Sequence, residues 1–138
     1  MSAFTEFYRD KLFLSIKEYS KYAIEISDNA LLVDQDGGPA VGIIIGDNTA
    51  TFFSLMGHPV TDVEKKKLLP VLNSLCEEFA IAMFIDKENR IIVRVTTFLS
   101  CSKTETDADE DIDILLAALI YFIDTYKVID KRISEMFF

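Results

Sequence analysis

Cysteine, histidine and cationic side chains are all scarce in this chain of 138 residues, and each shortage removes a class of chemistry. Cys76 and Cys101 stand alone, so neither a Cys-x-x-Cys redox pair nor a cysteine metal site can be drawn. Both read as ordinary thiols, because free cysteine behaves as a small hydrophobe. Lys and Arg number 14 against 23 Asp and Glu, a net charge of −9. Neutralising phosphates takes clustered cations, and the one basic run, Lys65-Lys66-Lys67, is short enough to be a solvated helix face. Nucleic acid is therefore not an expected partner. Apolar runs are short as well. The longest, Ile114 to Ile123, is about half of the ~20 residues a membrane span needs, and Asp111, Asp113 and Asp124 close around it. Charges at Glu6, Arg9, Asp10, Lys11, Lys17 and Glu18 interrupt any signal-peptide core near the start, which makes the cytoplasm the expected location.

What the chain has in quantity is core material. Hydrophobic residues make up 50% of it, including 11 Phe, which is too rich for disorder despite the charge. A single domain over residues 1–138 is expected, burying roughly two-thirds of the surface of the unfolded chain.

Phe4, Tyr8, Leu12, Ile16 and Tyr19, with Phe7 and Leu14 beside them, predict an amphipathic helix from about Phe4 to Tyr19. Tyr22 to Asp34 reads as one strand. Asp36-Gly37-Gly38-Pro39 turns it into Val41 to Ile45, a β-branched run suited to a strand covered on both faces, and Gly46-Asp47-Asn48 leads to Thr49 to Met56. The first half is thus a helix and a three-stranded antiparallel meander. Thr61-Asp62-Val63-Glu64 has capping-box form and opens a second helix with Leu68, Leu72, Leu75 and Phe79 inward, which Pro70 should kink or divide.

A β-hairpin follows, Ile81 to Ile85 and Arg90 to Leu99 around Asp86-Lys87-Glu88-Asn89. That even loop would set Ala82 and Phe84 with Ile91, Val93 and Val95 on a core face. Ile81, Met83 and Ile85 would join Arg90, Ile92 and Arg94 on a mixed face. A polar connection then enters a third, long C-terminal helix at Thr106-Asp107-Ala108-Asp109, running to about Phe137. The fold class is α+β.

No assembly of nucleophile, base or metal ligands is legible. Asp107, Asp109, Asp111 and Asp113 alternate as in a calcium loop, but the sixth and twelfth positions hold Ile112 and Ala118 where Gly and Glu are required. They read as helix-capping acids. Gly37, Gly38, Gly42 and Gly46 lack a phosphate-loop pattern. His58 lies in a Gly57-His58-Pro59 turn with no local catalytic companion, so a small enzyme using His58 ranks below a binding protein. No cofactor or metal is expected.

Surfaces carry the functional expectation. On the third helix Ile112, Leu115, Leu119, Phe122, Tyr126, Ile133 and Phe137 form one stripe, while Ile114, Ala117, Tyr121 and Val128 form another on nearly the opposite side. Two stripes require two covers. The second belongs either under another element of the domain or at a self-association surface. On the hairpin, Met83, Ile92 and Arg94 are the candidates for partner binding, since Met and Arg are enriched at interfaces.

The order helix, three strands, helix, two strands, helix resembles the type III secretion chaperone-like fold. Several segments resemble more closely the YbjN family of proposed bacterial sensory transduction regulators. These are Leu72-Asn73-Ser74-Leu75 entering Phe79 to Ile85, the Asp86 to Asn89 turn, Ile91 to Val95, and the acidic entry into Leu115 to Leu119. The acidic segment Thr104 to Asp113 and the Phe137-Phe138 end depart from the pattern. The resemblance implies dimerisation and protein binding or regulation without catalysis. The leading expectation is a non-enzymatic chaperone-like or regulatory module that forms a homodimer and binds a protein segment. An acidic inhibitor or immunity-like protein meeting a basic partner is the alternative.

Overall fold

The computed structural model describes residues 3–19, 21–57, 59–99 and 105–137. His58, Cys101, Thr104, Phe138 and the side chain of Asp107 lie outside the described residues. Along the described chain the order is α1 (Ala3–Lys17), β1 (Tyr22–Ser27), β2 (Ala30–Gln35), β3 (Val41–Ile45), β4 (Thr49–Leu55), α2 (Asp62–Phe79), β5 (Ala82–Ile85), β6 (Ile91–Phe98) and α3 (Glu105–Phe137). The strands make one antiparallel sheet in the order β1-β2-β3-β4-β6-β5. The α+β class and the alternation of helices and strands agree with the reading of the sequence.

The meander, however, has four strands rather than three. Tyr22 to Asp34 is itself a hairpin, pairing Ser27 with Ala30 across Asp28-Asn29. Asp28 takes a left-handed φ of 46°, which Asp tolerates better than most residues, so the turn forms without the glycine that would have advertised it.

The last hairpin differs too. Asp86 N–H donates to Arg90 O and Asn89 N–H to Asp86 O, leaving a three-residue loop with Asn89 at φ 60°. The odd length reverses one strand's facing. Cross-strand partners are Met83 with Val93, Ile85 with Ile91, and Phe84 with Ile92. Met83 and Ile85 therefore pack against the core beside Ile91 and Val93, while Ala82 and Phe84 share the other face with Ile92 and Arg94.

One face of the sheet is covered. Leu31, Val33, Val41, Ile43, Ile45, Ala50, Phe52, Ile91 and Val93 point into a single core with Tyr8, Leu12 and Ile16 of α1, Leu68, Leu72 and Leu75 of α2, and the first stripe of α3. Phe52 meets Phe122 at a ring-centroid distance of 6.3 Å. The helix α2 begins at the Thr61 cap, whose hydroxyl accepts from Glu64 N–H at 3.2 Å, and continues through Pro70 as one element. Pro70 therefore starts no new segment. Ala80, with φ 52°, closes it.

Candidate functional site: two uncovered surfaces

The sheet's second face is built by alternation along each strand. Residues that leave the core at every other position meet across strands as Leu32, Gly42, Phe53, Arg94 and Ala82 in one row, and Leu55, Ile92 and Phe84 in the next. Leu32, Ile44, Leu55, Phe84 and Phe98 are exposed. No described helix covers them, so β3 is not buried on both faces as its sequence suggested. Gly42 is nevertheless buried, because the Phe53 ring lies over it; a Cβ there would stand 2.3 Å from Phe53 Cζ. The ring substitutes for a second layer.

Arg94 sits on β6, next to the edge strand β5, with its guanidinium carbon 5.4 Å from the Phe84 ring centre. Next to the apolar rows, Thr51 and Thr96 bring their hydroxyls within 3.2 Å. Arg90 plays another part. Asp86 Oδ1 accepts Arg90 N–H and Glu88 N–H at 2.9 Å each, and Asp86 Oδ2 accepts Arg90 Nε–H at 3.0 Å. The Arg90 backbone donor, followed by its side chain, holds the Asp86 carboxyl below its ordinary pKa. Arg90 thus pins the turn.

Of the three hairpin candidates, Ile92 and Arg94 share the open face, and Met83 does not. The sequence reading lacked Leu32, Ile44, Phe53 and Leu55. Their period-two alternation was available, but register alone shows that they align with the hairpin.

The other surface belongs to α3. Its rotation is set by contacts with α1 and β4. Tyr8 Oη donates to Asp111 Oδ2 at 2.5 Å in a buried position, Lys11 pairs with Asp109 at 2.6 Å, and Tyr126 Oη donates to Leu55 O at 3.1 Å. Burial raises the Tyr126 pKa to about 12, with the negative charge of Asp130 adding to the effect. Two of the alternating acids therefore tie α3 to α1, a tertiary role beyond capping. With Leu115, Leu119, Phe122, Ile129 and Ile133 turned inward, Ile114, Ala117, Tyr121 and Val128 face outward, and Ile114 and Tyr121 are each 55% exposed. Neither α1 nor any other described element covers this stripe.

Among the described residues no group of three His, Cys, Asp or Glu side chains could hold a metal, and no helix is long and apolar enough to cross a membrane. Cys76 is a free, half-buried thiol. Among the described residues, Lys21, Tyr22, Ala23, Asp34, Gln35 and Asp36 line a shallow cleft of about 450 Å³ at the sheet edge.

No family model and no curated protein matches this chain. Among solved structures, YbjN from E. coli, a proposed transcription regulator, is similar with a TM-score of 0.68 and 12% identity over 92% of this chain and 91% of that chain. The chain therefore has a YbjN-like α+β fold, as its segments suggested. The heterodimeric ExoU-SpcU complex from the type III secretion system of Pseudomonas aeruginosa gives a TM-score of 0.38 and 11% identity, covering 70% of this chain and 84% of that chain.

Proposed function

We propose that this protein is a non-enzymatic regulatory or chaperone-like module that binds a segment of another protein on its open sheet face and self-associates through α3. The single observation behind it is the continuous, uncovered sheet surface. Leu32, Ile44, Leu55 and Phe84 are exposed and Phe53 and Ile92 half-buried on the same face as one cation, Arg94, and no described helix covers them. An exposed apolar patch around a polar anchor is the composition of a protein-binding surface. The proposed regulatory role of YbjN supports the regulatory half of the reading, and a net charge of −9 favours protein over nucleic acid as its target. A homodimer acting in the cytoplasm is part of the same proposal.

A photoreactive side chain at position 92 tests it in cells of the native host. Ile92 should capture a defined protein, whereas the same group at Val63, exposed on α2, should not. Arg94→Glu should abolish that capture with the fold intact. Equal capture from both positions, or none from either, would refute the assignment of the binding face.

A further inference from the structure

We infer that the outward stripe of α3 pairs with the same stripe of a second copy in antiparallel orientation, centred between Ile120 and Tyr121. This rests on the self-association reading above and adds its orientation and register. Charge sets the orientation. Along the outward side of α3 the charged residues run Glu110, Asp113, Asp124, Lys127, Lys131 and Glu135: three acids come first, two lysines follow, and one acid lies beyond them. Arg132 is already taken by Glu78 of α2, whereas no ion pair among the described residues engages Glu110, Asp113, Lys127 or Lys131.

A parallel pair in register would set each of these charges against its own copy, and all six contacts would repel. Reversing one helix about the point between Ile120 and Tyr121 places Glu110 opposite Lys131. It also lays Lys127 beside Asp113, and two-fold symmetry repeats each contact. Between them Ile120 meets Tyr121, and Ala117, the smallest side chain of the stripe, lies opposite Asp124, leaving that carboxylate room to stay hydrated at the rim. From Glu110 to Lys131 the contact runs about 32 Å, about six turns, a length over which helices packed near 20° stay within reach of long charged side chains. Ile114, Ile120, Tyr121 and Val128 are all exposed in the single chain; Ile120 and Tyr121 supply the apolar centre, and Ile114 and Val128 lie alongside the Lys127 and Asp113 contacts.

Sedimentation across a concentration series tests the pairing on the full chain. Glu110→Lys and Lys131→Glu should each weaken dimerisation by about tenfold, since every reversal converts two exposed attractions into repulsions. The combined Glu110→Lys/Lys131→Glu protein should recover to within about threefold of the parent. Both sites are exposed on the helix, so circular dichroism should show an unchanged fold. A dimer indifferent to the single reversals, or one weakened by them and not rescued by the double change, overturns this register while leaving self-association standing. A parent chain that is monomeric at every concentration overturns both.

Discussion

Replacing Tyr8 by Phe should test the contact that sets the rotation of α3, and hence which of its stripes faces solvent. Phe keeps the ring in its fully buried place, so the change isolates the hydroxyl that donates to Asp111 Oδ2 at 2.5 Å. Asp111 is itself only 7% exposed, and solvent cannot replace the lost donor freely. A hydrogen bond to a charged group contributes about 1.5–3 kcal/mol, and about 2 kcal/mol is the expected loss. With roughly 2.1 cal/mol/K of unfolding entropy per residue, the 138 residues give about 0.29 kcal/mol/K, so Tm should fall by about 7 °C. Urea unfolding should show a lower midpoint with an unchanged slope. In an Asp111→Ala background, where the acceptor is gone, the same substitution should cost less than about 0.5 kcal/mol. An equal cost in both backgrounds would refute the claim that this bond joins α1 to α3.

Two further outcomes follow from local geometry. Tyr126, with its pKa raised to about 12, should ionise later than an ordinary tyrosine in an absorbance titration. Because the folded form holds that proton more tightly, its contribution to stability is complete below about pH 10 and declines as pH rises toward 12. Ionisation of all five Tyr near pH 10 in the folded protein would contradict this. Asn89→Ala should cost about 1–2 kcal/mol in chemical denaturation, through the left-handed φ of 60° and the lost Lys65 Nζ bond at 3.1 Å. Asn89→Gly should cost less than half as much, since glycine removes the backbone part alone.

The sequence by itself determined the helices, most of the strands and the inward stripe of α3. Burial follows periodicity, and Leu115, Leu119 and Phe122 recur at the helical repeat whatever covers them. It also placed the Thr61 cap, because a hydroxyl three residues before a Glu satisfies orphan amides locally. Two turns escaped it. Asp28 and Asn89 adopt left-handed backbone without glycine, and such turns set strand count and strand facing one residue at a time. That is why Met83 reads as a surface residue in sequence and packs inward in the fold. The open sheet face was decided by tertiary structure alone, since β4 pairs with β6 across the whole of α2 and only that register brings Phe53 beside Arg94. The outward stripe of α3 is intermediate: its apolar residues are legible in sequence, but its exposure depends on Tyr8, Lys11 and Leu55, residues far away along the chain that fix how the helix is turned.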